Sequence, residues 1–324
     1  MAAMTMEIDS TKKDHDKSLP YPTECHSTFS SPHVGPILAV RFSHTHGDYL
    51  LSAGQDRLIC LWNPAKAKLV KAYEKNHGRE VNDIVITQSN EKFASVSGDK
   101  VVMYWDTLTG SVIRRWRGHE GSINSCDLNE DDSVLITGAY DQTVKLWDIR
   151  AFHRDPIQTL TGARDSVTSV RCKGKEIAAA SMDGCIRVWD VRTGKCSIDH
   201  IAKPLTNITW SQDGECLLVT CLDNTRKLFD KSNGSLLNTY LGAPSTQYSL
   251  ETVFDHSDAY VIGGDEDGAI HVWDLVTAKE VYTYHPPPLT ESKPTSQALT
   301  TLAIHPTKNH LAAAGADGQI RYWT

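Results

Sequence analysis

The sequence has no uninterrupted apolar run of the roughly 18 residues that a membrane-spanning helix needs. Its first twenty residues, MAAMTMEIDSTKKDHDKSLP, lack the apolar core of a secretory signal. The eight cysteines (25, 60, 126, 172, 185, 196, 216 and 221) include no Cys-x-x-Cys and no pairing that repeats along the chain. No Cys or His pair has the ligand spacing of a structural zinc site, and His44-Thr45-His46 reads as a polar turn, so no metal is expected. Positive charge is also short: 33 Lys and Arg against 40 Asp and Glu give a net charge of −7, which opposes a general affinity for nucleic-acid phosphates. These absences predict free thiols in a reducing compartment, cytoplasmic and/or nuclear, with no membrane and no direct nucleic-acid partner. The sequons at Asn207 and Asn233 are then expected to stay unmodified, and Asn233-Gly234 reads as a hairpin turn.

What the chain does have is repetition. The stretch Gly118 to Asp148, GHEGSINSCDLNEDDSVLITGAYDQTVKLWD, holds three short apolar runs: Ile123 to Leu128, Val134 to Thr137 and Thr143 to Trp147. Runs this short, bounded by Asn, Asp, Gly and Ser, read as antiparallel strands and not as helices. Weaker copies close on Trp62, Trp105, Trp147, Trp189, Phe229, Trp273 and Trp323, at intervals of 43, 42, 42, 40, 44 and 50 residues. An Asp stands six residues before each: Asp56, Asp99, Asp141, Asp183, Asp223, Asp267 and Asp317. It falls in the turn between the second and third strands, where its carboxylate can fold back onto backbone N–H groups.

Seven such coincidences in register, at this period, resemble the WD-repeat family of β-propellers. The resemblance runs from about residue 24 to the last residue. It implies an all-β, seven-bladed propeller forming one domain over residues 23–324, with repeat ends near 63, 106, 148, 190, 230, 274 and 324, preceded by a disordered polar tail at 1–22. It also implies a buried tetrad in which the turn Asp accepts from a Gly-His imidazole, linked through a strand hydroxyl to the Trp indole. Three repeats carry all four members: His33, Ser52, Asp56 and Trp62; His77, Ser95, Asp99 and Trp105; His119, Thr137, Asp141 and Trp147. In the others the His position reads differently, as at Ala163, and the hydroxyl position holds Ala179, Val219, Gly263 or Ala313. The first three blades are therefore expected to be the stiffer half. These sets look like catalytic triads, but an enzyme needs one and the chain repeats them as architecture.

The last repeat stops at Trp323-Thr324, after its third strand, so its outermost strand must come from elsewhere. Cys25 to Ser30 is predicted to supply it and close the ring, leaving no exposed edge there. In the tail, Lys12-Lys13 followed by Leu19 and Tyr21 loosely resembles a kinase-docking peptide, though its composition is that of a solubilising segment. The segment His285 to Gln297, with three consecutive prolines, accounts for the longest interval and favours polyproline II geometry.

A rigid ring with no nucleophile–base pair outside the repeating set predicts recognition and not catalysis, with no cofactor. The residues just before the turn Asp project from one face, and Tyr140, Met182 and Leu222 are adjacent in blade order and larger than a solvated turn requires. With Arg79, Arg164 and Glu266 they form the candidate partner surface. Ala163-Arg164-Asp165, the Trp-less fifth repeat and Gln158-Thr159-Leu160 resemble, more narrowly, the mitogen-activated protein kinase organizer group of WD-repeat scaffolds. That resemblance implies a monomer within larger complexes that holds components of a kinase cascade, a spliceosome-associated assembly, or both. The alternative is a substrate receptor of a cullin-type ubiquitin ligase, because Trp147-Asp148-Ile149-Arg150 and Trp189-Asp190-Val191-Arg192 resemble the adaptor-docking motif, with Arg150 and Arg192 as the contacts.

Overall fold

The computed structural model describes residues 25–74, 77–285 and 297–324. The tail at 1–22 and all but the two ends of the 285–297 segment lie outside these residues. The chain is an all-β ring of seven four-stranded antiparallel sheets, a seven-bladed propeller. In blade 3 the strands run Ile123–Leu128, Val134–Ala139, Val144–Asp148 and Gln158–Leu160, from the central channel outward. The innermost strand of blade 1, Ile37–Phe42, packs against both Val81–Ile86 of blade 2 and Thr301–Ile304 of blade 7, so the circle is complete.

Closure is made by the amino-terminal strand. Cys25–Phe29 pairs antiparallel with Ile320–Trp323, bringing Phe29 opposite Ile320 and Cys25 opposite Trp323. Phe29 is fully buried, with its ring 5.4 Å from that of Trp62 in blade 1 and 6.3 Å from that of Tyr322. Residues 25–29 and 320–323 are thereby held in one sheet, and the outer edge of blade 7 is paired.

The core is not a single cluster. Apolar side chains gather into seven groups, each filling the wedge between two neighbouring blades, for example Phe29, Val40, Leu50 and Trp62 with Ala312, Ile320 and Tyr322 between blades 1 and 7. This is the arithmetic of repeated blades: each sheet has two apolar faces and can bury them only against its neighbours.

A second device stitches the blades at the channel. In blades 1 to 5 the register slips near the start of the innermost strand, as between Val81 and Asp83 or Ile123 and Ser125. Such a bulge re-aims one side chain out of the sheet. In three blades that residue donates to a carbonyl of the next blade: Asn82 Nδ2 to Ile123 O (2.7 Å), Asn124 Nδ2 to Val167 O (2.8 Å) and Thr168 Oγ1 to Leu205 O (2.8 Å). Thr300 Oγ1 donates likewise to Ile37 O across the closing seam.

Candidate partner-binding surface

The three complete tetrads lie just beneath the face that carries the Asp turns. In blade 1, Trp62 Nε1 donates to Ser52 Oγ (2.8 Å), Ser52 Oγ lies 2.8 Å from His33 Nε2, and His33 Nδ1 lies 2.9 Å from Asp56. The same distances recur at Trp105–Ser95–His77–Asp99 and Trp147–Thr137–His119–Asp141 to within a few tenths of an ångström. The proton order follows from chemistry. A carboxylate only accepts, so Nδ1 carries the imidazole proton, and Nε2 must accept from the hydroxyl that in turn accepts from the indole. Burial opposes ionisation of Asp99, but its bonds from His77 and from the Gly78 and Val101 N–H groups outweigh that and hold it at about 2. Asp56 and Asp141 are shifted down for the same reasons. A histidine locked between a carboxylate and a hydroxyl, with the indole buried behind it, has no open side for a substrate.

The incomplete repeats are repaired by a different residue. In blade 4 Arg187 reaches Asp183 (2.7 Å) and Ser181 Oγ (2.9 Å), and in blade 7 Arg321 pairs with Asp317. In blade 6 His271 bridges Asp265 (3.0 Å) and Glu280 (2.9 Å) and stacks on Trp273. All three stand two residues before the closing aromatic, where the complete repeats have Cys60, Met103 and Lys145. The signal in the sequence is an Arg or His at that position in blades 4, 6 and 7; the lysines there, Lys145 and Lys227, make no such bridge among the described residues. Blade 6 also corrects the reading of its turn. Asp265, not Asp267, accepts from the Asp267 and Ala269 N–H groups, because its carboxylate alone faces His271; Asp267 is left exposed. Blade 5 has no such bridge among the described residues. Its buried Arg226 donates to the Ala243 and Gly264 carbonyls and packs over Trp273, and burial pulls its guanidinium down to about 10.

The channel is closed at mid-depth by a cycle of four charges. Arg41 contacts Asp83 (2.9 Å) and Glu251 (3.0 Å), while Arg171 contacts Glu251 (3.3 Å) and Asp83 (3.5 Å). Glu251 also accepts from Thr301 Oγ1 (2.8 Å) and Leu302 N (3.3 Å). Blades 1, 2, 4 and 6 are thus tied across the ring. Arg41, Arg171 and Glu251 line both a cavity of about 610 Å³ on the Asp-turn face and one of about 320 Å³ on the other.

Tyr140 and Met182 both line the larger cavity, Tyr140 being 67% exposed and Met182 half-buried. Tyr248 joins them on its rim. The structure does not bring the remaining candidates to the cavity: Leu222 is half-buried beside it, and Arg79 and Arg164 are exposed further out, their neighbours Glu80 and Asp165 taking the lining positions. Glu266 is committed to structure, accepting from the N–H groups of Thr246 (2.6 Å), Gln247 (2.5 Å) and Tyr248 (3.2 Å), and so it fixes the loop that carries Tyr248. Sequence reasoning missed Tyr248 because it lies in the long, irregular connection before the sixth inner strand. Arg150 and Arg192 are exposed on the opposite face, Arg150 lying 3.1 Å from Asp131 O. Among the described residues no group of three or more His, Cys, Asp or Glu could hold a metal ion, and no helix is long and apolar enough to cross a membrane.

Seven wedge-packed blades, with tetrads of Asp, His, hydroxyl and indole beneath the Asp-turn face, define the β-propeller class. A family model described as WD domain, G-beta repeat matches residues 23–63, 110–148, 154–190 and 288–324. The chain is 38% identical to WD repeat domain-containing protein 83 of Rattus norvegicus over 89% of this chain and 88% of that one, and 39% identical to its Mus musculus counterpart over the same shares. A Dictyostelium discoideum homolog of that protein is 28% identical over 92% of this chain and 97% of its own length. The chain belongs to the WD-repeat family, whose propellers serve as platforms for protein–protein interaction.

Proposed function

We propose that the chain is a non-enzymatic scaffold, monomeric within larger complexes, that assembles components of a mitogen-activated protein kinase cascade, of a spliceosome-associated complex, or of both, in the cytoplasm and/or nucleus. One observation carries the reading: Tyr140, Met182 and Tyr248 form an aromatic and apolar rim on a ring made rigid by bulge stitches and a closed charge cycle. Rigid aromatic anchors around a polar hollow suit a protein partner, because little ordering entropy is lost when they are covered. The test is affinity purification of the wild-type chain and of a Tyr140→Ala, Met182→Ala variant, followed by mass spectrometry. Cascade kinases or splicing factors should be recovered with the wild type and depleted with the variant. An identical partner set from both, at equal melting temperature, would overturn the assignment of this face.

The second reading, a cullin-ligase substrate receptor, is favoured by the exposure of both Arg150 and Arg192 in consecutive blades of the opposite face. It requires that Arg150→Ala, Arg192→Ala lose a ligase adaptor that the wild type retains.

A further inference from the structure

The amides that stitch the inner strands use only their donor ends. Asn82 and Asn124 commit Nδ2 to Ile123 O (2.7 Å) and Val167 O (2.8 Å), and each Oδ1 is left without a partner among the described residues. Both residues line the cavity of about 610 Å³ on the Asp-turn face. Ser169, in the next blade, lines it too, and its buried Oγ has no partner. Two carboxylates belong to the same wall. Glu80, in the segment that enters blade 2, lies where a Cβ at Gly98 would collide with its Oε1, so the glycine makes room for it. Its carboxylate has no hydrogen-bond or ion-pair partner among the described residues. Asp165, entering blade 4, accepts only from Ser166 N (2.6 Å). Blades 2, 3 and 4 therefore present one cavity wall rich in open acceptors, and open acceptors that are buried call for a donor.

The charged residues lining the cavity are Arg41, Arg171, Asp83, Glu251, Glu80 and Asp165. The first four neutralise one another in the channel cycle, which leaves Glu80 and Asp165 unmatched within the lining. Arg79 and Arg164 are exposed outside it, so they act on whatever flanks an entering group and not on the group itself.

We propose that this cavity receives an arginine side chain of a protein partner, from a segment with no second basic residue beside it. The inference rests on the reading of this face as the partner surface and names the group that enters. A guanidinium is planar, permanently charged and carries five N–H donors and no acceptor, so it can satisfy amide oxygens and a carboxylate of neighbouring blades together. A lysine ammonium is a point charge with three donors and reaches fewer of them. The rings of Tyr140 and Tyr248 at the mouth suit the cation, and Met182 suits its apolar stem. An anion would find Arg41 and Arg171 already paired. A run of basic residues would meet Arg79 and Arg164, which is why the arginine stands alone.

The experiment pans a random dodecapeptide display library on the full-length chain, with a Glu80→Gln, Asp165→Asn variant as the counter-selection. Selected peptides are resynthesised with arginine replaced by citrulline, which keeps the size and removes the charge, and binding is read by fluorescence anisotropy. The variant changes neither side-chain volume nor any ion pair and should melt with the wild type, which is checked first. Peptides should carry one isolated arginine, bind about tenfold more weakly to the variant, and lose a similar factor with citrulline. Citrulline peptides that bind the wild type as tightly as their parents would overturn the proposal, whether or not the variant folds. So would selected peptides without arginine, or none that discriminate. The Tyr140→Ala, Met182→Ala chain separates the two readings of this face. Peptides that it loses but that keep full affinity for Glu80→Gln, Asp165→Asn would retain the rim as the partner surface and remove arginine from the cavity; peptides indifferent to both variants would remove both.

Discussion

Glu251 is the side chain on which the channel cycle turns, and its removal has a calculable cost. It neutralises Arg41 at 3.0 Å and Arg171 at 3.3 Å, and accepts two further bonds, from Thr301 Oγ1 and Leu302 N. All three charged side chains are more than three-quarters buried. In Glu251→Ala the two guanidinium groups keep Asp83 as their shared ion-pair partner, with Asp127 acting on Arg171 from further off, so Arg41 is left under-neutralised, a loss of about 3–5 kcal/mol. For a domain of this size that corresponds to a fall in melting temperature of roughly 10 °C. Glu251→Gln retains an acceptor and the side-chain volume, and should lose about half as much. A paired replacement, Arg41→Met with Glu251→Leu, removes the charges together and should recover stability relative to Glu251→Ala. Calorimetry of the four proteins at one pH and salt concentration decides the matter. A Glu251→Ala chain that melts within about 2 °C of wild type would show that water enters the channel freely enough to solvate both arginines, and the cycle would then not be a structural tie.

Deleting residues 1–30 removes the closing strand with Phe29 and should lower the melting temperature sharply, whereas deleting 1–18 should not; equal effects on calorimetry would contradict the closure. The buried His305 accepts at Nδ1 from the Thr307 and Lys308 N–H groups and packs against Gly47, while burial, then His310 and Lys308, push its pKa down to about 4, with Asp48 and His46 acting in the opposite sense. The unfolded chain therefore takes up this proton first, and the stability it contributes is present above about pH 6.5 and is lost as pH falls toward about 4. His305→Asn, which keeps an acceptor but cannot titrate, should flatten the dependence of melting temperature on pH in that window. An unchanged slope would exclude His305 as its source. In native-state hydrogen exchange, blade 5, which lacks a bridge from its turn Asp to a base, should exchange fastest, with the inner strands of blades 1 to 3 slowest. Slowest exchange in blades 5 to 7 would refute that order.

The fold was legible because it is written seven times. One Trp-Asp pair means little, but Asp56, Asp99, Asp141 and their successors, each six residues before an aromatic, fix turn, strand and blade together. The closing strand is seen in the pairing of Cys25–Phe29 with Ile320–Trp323, which completes the last sheet. What escaped sequence reasoning depends on distances between blades. Asn82, Asn124 and Thr168 look like ordinary polar residues in short strands until a bulge turns them toward the next blade. Arg41, Asp83, Arg171 and Glu251 are scattered over more than two hundred residues, and only ring closure makes them neighbours. The bonds that Glu266 makes were also out of reach of the sequence: three backbone N–H groups in the 246–248 loop donate to its carboxylate.

The substitutions at Arg187, His271 and Arg321 show why the weaker repeats need not be weaker blades. The tetrad's task is to satisfy a buried carboxylate that itself caps a turn, and an imidazole arriving from the preceding connection is one solution. A guanidinium arriving from the third strand, two residues before the indole, is another. It forms within the same hairpin as its carboxylate, as Arg187 does with Asp183 at 2.7 Å. The local solution removes a requirement on the connection that enters the blade. That connection no longer has to deliver a histidine at a fixed place, and it is free to vary in length and composition. The connections into blades 4, 6 and 7 are those that read Gly162-Ala163-Arg164-Asp165, Gly242-Ala243-Pro244 and the proline-rich 285–297 segment. They are also the ones that put Asp165 and Tyr248 on the cavity. Moving the base onto the strand thus satisfies the turn carboxylate without a histidine from the entering connection.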